Sequence, residues 1–271
     1  MKEASFFKGH NINMIWLKLL IVPAFILLVS LAGRRWGTTV AGILAGMPVV
    51  AGPIVVLVAL EQGVGFGIYT ATAAVTGVIA LLSFGIAYCW LSLKLNWWMT
   101  FLLATLVWSV ISSFLVLLPQ NIYLALCIAL LGLIFTPYLL PRKNWVYRPA
   151  AHAKDLPVRM LAGGVFTLIV TQAADLVGGT WSGLLAVFPI IGSILAVFTH
   201  ITQGADAVTT LYRGTVRGLY SLVLFFFILV MAWPYMSFWF ALILAIIAAI
   251  TLQLLFQYAM KPLIFLNNKT H

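Results

Sequence analysis

The stretch from Gly37 to Gly63 (GTTVAGILAGMPVVAGPIVVLVALEQG) returns 141 residues later as Gly178 to Gly204 (GGTWSGLLAVFPIIGSILAVFTHITQG). Without gaps, Gly37, Thr39, Gly42, Leu44, Ala45, Pro48, Gln62 and Gly63 fall on Gly178, Thr180, Gly183, Leu185, Ala186, Pro189, Gln203 and Gly204. What the copies share is mostly helix interrupters. In each, a Gly stands six residues before a Pro inside an otherwise apolar run. Proline removes a backbone donor and clashes with the preceding turn, so a helix drawn through these runs is broken where the proline falls. Gly52 and Pro53 add to the break in the first copy, and Gly192 and Ser193 occupy that region of the second.

These breaks matter because of the solvent. The chain is 64% hydrophobic and 7% charged, with a mean hydropathy of +1.14, against about 25% charged residues in soluble domains. The composition indicates an all-α integral membrane protein and excludes a soluble fold. In hydrocarbon, backbone groups freed by a break need partners within the protein. The formal charge of +10 then reflects topology, and nothing offers the soluble basic face that nucleic acid requires. Cys89 and Cys127 both lie in apolar runs, which supports neither a disulfide framework nor a thiolate metal site.

A spanning helix needs about 20 mainly apolar residues. Segments 14–33, 38–60, 66–92, 98–118, 121–140, 157–177, 180–201, 208–233 and 236–259 meet this, predicting about nine transmembrane helices. The lead segment also looks like a signal peptide, since Lys2 and Lys8 precede an apolar run ending in Ser30, Leu31 and Ala32. The repeat argues for its retention: Lys18, Leu20, Phe25 and Leu27 fall on Arg159, Leu161, Phe166 and Leu168. Later helices follow the same offset, with Gly77 on Gly218 and Trp98 on Trp239. The expected organisation is a first four-helix repeat over 14–118, a connecting helix over 121–140, a polar cytoplasmic linker over 141–156 and a second repeat over 157–259. An offset of five spans is odd, so the copies are expected to be inverted across the bilayer.

Placed on alternate sides, Arg34, Arg35, Lys94, Arg142, Lys143, Arg148, Lys154, Arg159, Arg213, Arg217, Lys261 and Lys269 share one face, leaving Lys2, Lys8 and Lys18 on the other. The positive-inside rule makes the first face cytoplasmic, with the N-terminus outside and the C-terminus inside, in a bacterial-type inner membrane. Trp97, Trp98, Trp145, Tyr147, Trp233 and Tyr235 at span ends read as interfacial anchors.

Paired interrupted helices in two halves of a carrier point to a midplane substrate site. The candidate substrate-binding residues are Gly46, Pro48, Gly52, Pro53, Pro189, Gly192 and Ser193; the plainer alternative is that Gly and Pro only kink these helices for packing. Carboxylates near spans are few, and a carboxylate at bilayer depth is costly unless paired or hydrated. Asp175 with Gln172, and Glu61, are therefore the candidates for ion coupling; Asp206 is a third acidic residue beside a span. Ordinary interfacial carboxylates are the competing reading. Arg213 and Arg217, four residues apart, lie on one helix face and form a fork for an anion or lipid headgroup, or else anchor to cytoplasmic headgroups. His200 replaces Ala59 of the first copy and is either a proton relay or an interfacial residue.

No Walker loop, HExxH motif or Gly-x-Ser-Gly around Ser182 is present, so no enzyme and no cofactor are expected. The sequence predicts a secondary transporter of a small solute. A lipid flippase and a non-transporting assembly subunit are the alternatives, with the lipid bilayer as the common partner. A homodimer is compatible with the pattern, though no motif demands it.

Overall fold

The computed structural model describes residues 22–49, 51–141, 155–177 and 189–267, with side chains described in all of these except 170–177 and 259–267. Every regular element among the described residues is a helix. In chain order these are α1 (22–36), α2 (Thr38–Gly46), α3 (Ala51–Gln62), α4 (Val64–Leu91), α5 (Trp97–Leu115), α6 (Ile122–Leu139), α7 (Leu156–Val177), α8 (Ile190–Gln203), α9 (Ala205–Ala232) and α10 (Phe238–Asn267). Six spans among the described residues are long and apolar enough to cross a bilayer: α2 with α3, α4, α5, α6, α9 and α10. The chain is a helical membrane protein. Of the other three expected spans, 14–33 is described from residue 22, 157–177 forms α7, of which Leu156–Ile169 is a shorter apolar helix, and 180–201 is described only from Pro189, with α8 likewise shorter.

The predicted break in 38–60 falls after Gly46. The Met47 amide still reaches back to the Ile43 and Leu44 carbonyls at 3.1 and 3.2 Å, and α3 opens with the Gly52 amide on the Pro48 carbonyl at 2.8 Å. Pro53 was expected to sharpen this break. It instead sits in the first turn of α3, where its missing N–H is no loss. In the second copy Pro189 immediately precedes α8, and its carbonyl accepts from the Ser193 amide, also at 2.8 Å. Single glycines join the neighbouring helices: Gly37 between α1 and α2, Gly63 between α3 and α4, and Gly204 between α8 and α9, at φ of 92°, 92° and 86°. With ψ near 160–180°, such a conformation is essentially open to glycine alone.

The long helices α4 and α9 have 28 residues each, and both their ends lie 141 positions apart. They form the centre, with 56% and 61% of their spans buried, whereas α5, α6 and α10 stand outside at 22–28%. Gly67 faces the Trp233 ring and Gly85 faces the Tyr212 ring, so α4 and α9 run antiparallel. The pair α1 and α7 also runs antiparallel, with Ile26 against Gly163 and Arg34 bonded to Asp155. α6 packs against both α4 and α9.

The closest helix contact is between α2 and α9, which run parallel. A Cβ on Gly42 would overlap the Leu211 carbonyl, one on Gly46 the Thr215 carbonyl, and one on Gly218 the Ile43 carbonyl. Small residues here let the two backbones touch, the usual solution where lipid gives no hydrophobic drive between helices.

Candidate functional site

The broken segments meet through α2 and α8, which are in contact. Their candidate residues are occupied in different ways. Gly46 is buried on α9, and Gly52 faces the Phe225 ring. Pro48 and Gly192 are half-buried, and Pro53 is exposed. Ser193 is buried and donates its hydroxyl to the Ile190 carbonyl at 2.9 Å, so its side chain is used within its own turn. At Pro48 and Pro189 the carbonyls open the next helix, while neither proline nitrogen can donate.

Of the ion-coupling candidates, Glu61 alone has a described side chain. Glu61 is exposed at the end of α3. The side chains of Asp175 and Gln172 lie outside the described residues, although their backbone continues α7. Arg213 donates to the Pro141 carbonyl at 3.2 Å, holding the end of α6, and Arg217 lies one turn further along, half-buried.

Antiparallel packing sorts the described charges by end. Arg34, Arg35, Lys94, Arg159 and Arg213, with Asp155 and Asp206, lie toward one end, Arg217 near the middle of α9, and Glu61 at the other end. At the basic end Asp155 joins two helices. Its Oδ2 accepts from Arg159 Nε and Nη2 at 2.9 and 2.6 Å, and its Oδ1 from Arg34 of α1. Arg159 also lies 5.0 Å over the Phe198 ring of α8, a cation–π contact. In the sequence Asp155 is only part of a polar linker, because nothing local announces a partner 121 residues away.

A second group at the basic end was also missed. Tyr88 of α4 stands 6.3 Å from Tyr212 of α9 and 6.0 Å from His200 of α8, ring centre to ring centre, with Phe84 packed against both tyrosines. Most hydroxyls in these helices return to their own backbone four residues earlier, as Thr72, Thr76 and Thr215 do. The hydroxyls of Tyr88 and Tyr212 and the Nδ1 of His200 are buried without a hydrogen-bond partner among the described residues. A cavity of about 10 Å³, room for a single water, adjoins Tyr212 and is lined by Gly85, Ile86, Thr136, Leu140 and Thr215.

The chain matches no family model, no curated protein and no solved structure. Its site is therefore read from geometry alone. One expected anchor needs correction: Trp233 is 4% exposed, stacked on Phe238 at 5.5 Å and facing Gly67, so it is part of the core. Trp97, Trp98 and Tyr235 are exposed, as interfacial residues should be. Trp145 and Tyr147 lie outside the described residues.

Proposed function

We propose that this chain is a secondary transporter of a small solute, in which two inverted four-helix halves move against each other around the breaks at Pro48 and Pro189. One observation carries the reading. Helices that occupy equivalent places in the repeated sequence, α4 with α9 and α1 with α7, run antiparallel, while the paired breaks begin their following helices with the same proline-to-fourth-residue hydrogen bond at 2.8 Å. Two halves of opposite sense around interrupted helices are the ordinary construction of such carriers. In this reading the basic end is cytoplasmic, in keeping with the positive-inside rule, and the membrane is a bacterial-type inner membrane. Asp175, with Gln172, and Glu61 are the coupling residues of this proposal.

A second reading, an assembly subunit that transports nothing, is favoured by the tight seating of Gly46 and Gly52 on α9. Reconstitution separates the two. Purified protein in liposomes is expected to exchange at least one member of a panel of labelled small solutes faster than empty liposomes do. Leak equal to the empty control throughout, with fluorescent lipids not flipped either, overturns transport and leaves the subunit; lipid flipping alone would make Arg213 and Arg217 the headgroup fork.

A further inference from the structure

One stripe of α9 stays open on a helix that is otherwise buried. Arg213, Arg217, Tyr220 and Leu224, spaced four, three and four residues apart, share one side of the helix and are half-buried, while Val216, Gly218, Leu219 and Ser221 beside them are buried. Two helices wall this stripe. On the α6 side Arg213 donates to the Pro141 carbonyl at 3.2 Å, and toward the other end the Tyr123 hydroxyl meets the Met231 sulfur at 3.8 Å. On the α10 side Ser221 donates to Gln253 at 2.9 Å, and the Tyr220 ring lies 5.4 Å from that of Phe256. Tyr220 is also within electrostatic reach of Tyr138 on α6, which is 76% exposed. The stripe is therefore the floor of a groove between α6 and α10 that opens sideways into the bilayer.

Arg217 is the unusual member of the floor. It makes no hydrogen bond or ion pair with any described residue, and the described charge that acts on it is a second cation, Arg213. Asp155 is taken by Arg34 and Arg159, and Asp206 lies roughly 16 Å further along α9, at 1.5 Å per residue. Helical side chains lean toward the N-terminus, here the basic surface, so Arg217 reaches back toward Arg213. Packing does not require this pair. At the offset of 141 their counterparts are Thr72 and Thr76, which are 4% and 7% exposed and return their hydroxyls to the Ile68 and Thr72 carbonyls at 2.8 and 3.1 Å. The first copy closes the equivalent positions with groups that satisfy themselves, and the second leaves two neighbouring cations at bilayer depth, which is costly without a counter-charge. Water can hydrate either guanidinium, but only an anion offsets both.

We infer that the groove between α6 and α10 seats an anionic phospholipid from the leaflet at the basic end, its phosphate held by Arg213 and Arg217. The depth is right for a headgroup. α6 has 18 residues, about 27 Å, close to the thickness of the hydrocarbon layer, so Pro141 at its end marks where headgroups begin. Arg213 is bonded there, and Arg217 is one turn, about 6 Å, further in. Guanidinium forks match phosphate oxygens, and basic pockets between membrane helices take lipid headgroups in this way. The deeper floor, Tyr220 and Leu224, is mainly apolar, so a ligand that fills the groove has a charged end and an apolar body, as a lipid does and a free anion does not. Room comes from the open side of the groove and needs no enclosed cavity. This lipid is resident in its leaflet, and the groove is off the Gly214–Gly218 face of α9 that α2 covers, so it is separate from the breaks.

The test is thermal melting of the full chain in phosphatidylcholine nanodiscs into which phosphatidylglycerol is titrated. Phosphatidylglycerol is expected to raise the wild-type melting temperature and to saturate. Arg213→Gln and Arg217→Gln are each expected to weaken its apparent affinity about tenfold, the loss of a hydrogen bond to a charged group, with the rise abolished in the double variant. Arg35→Gln removes an exposed cation of the same end and is expected to change nothing. A second readout needs no variant: photoactivatable phosphatidylglycerol is expected to label α6 and α10 of the wild type well above α5, whose apolar surface is as open but carries no cation. No stabilisation of the wild type, a rise kept by the double variant, or an equal loss in Arg35→Gln overturns the site. Labelling as strong on α5 overturns it too, and the same rise from soluble glycerol phosphate overturns the lipid as its ligand. Lipid binding is read without any solute, so this site and the transport reading stand or fall separately.

Discussion

At single positions, the structure separates glycines that only tolerate a side chain from those that forbid one. Gly42 and Gly218 lie against backbone, which cannot move aside, whereas Gly52 faces the edge of the Phe225 ring at 3.2 Å. Gly42→Val is therefore expected to destabilise the protein by about 1–3 kcal/mol or more, as overpacking does, while Gly52→Ala, which needs only the Phe225 ring to give by a few tenths of an ångström, costs less; thermal melting with size-exclusion profiles in detergent measures both. Asp155 offers a second test. Asp155→Asn leaves two guanidiniums, one of them only 7% exposed, without their carboxylate, and a loss of about 1.5–3 kcal/mol is expected from hydrogen bonds to charged groups. A melting temperature unchanged by that substitution would mean that the Arg34–Asp155–Arg159 cluster contributes nothing to holding α1 on α7. The glycines were legible because the repeat pairs Gly42 with Gly183 and Gly63 with Gly204. Tyr88, Tyr212 and Asp155 were not. Each sits in an unremarked local context and acquires its meaning from neighbours more than a hundred residues away.

For the helices, hydropathy placed α4, α5, α6 and α9 within a few residues, and the start of α10, which runs eight residues past the expected end at 259 to Asn267. It did not separate α2 from α3, since period and hydropathy continue across Pro48; only the proline signalled the interruption. Segment 208–233 in fact begins at Ala205, directly after Gly204, because one glycine in a conformation closed to other residues turns the chain without a loop. Gly63→Ala and Gly204→Ala are each expected to cost about 1–3 kcal/mol, the range for a side chain forced into such backbone geometry. No Cβ clash contributes, since nothing lies within 4 Å of either site. Comparable melting temperatures for wild type and both variants would show that the joints relax into ordinary conformations.

The whole molecule is ordered by its two central antiparallel helices, and its charge asymmetry is the basis of the proposed orientation. Lys94 and Gln120 are exposed in turns at opposite ends of α5. In a background lacking Cys89 and Cys127, a cysteine at Gln120 is expected to react with an impermeant maleimide on intact cells, and one at Lys94 only after the membrane is opened. The reverse pattern would place the basic end outside and refute the proposed orientation. Hydropathy was enough to anticipate six apolar spans, but not which helices lie in the middle, because burial in a membrane bundle depends on contacts that apolar composition does not encode. The one-residue joints have a mechanical corollary. A helix of 28 residues is about 42 Å long, so a swivel of about 10° at Gly204 sweeps its far tip through about 7 Å. Gly63 is the same pivot for α4 at the opposite surface, so the molecule contains two long levers with their fulcrums on different sides of the bilayer.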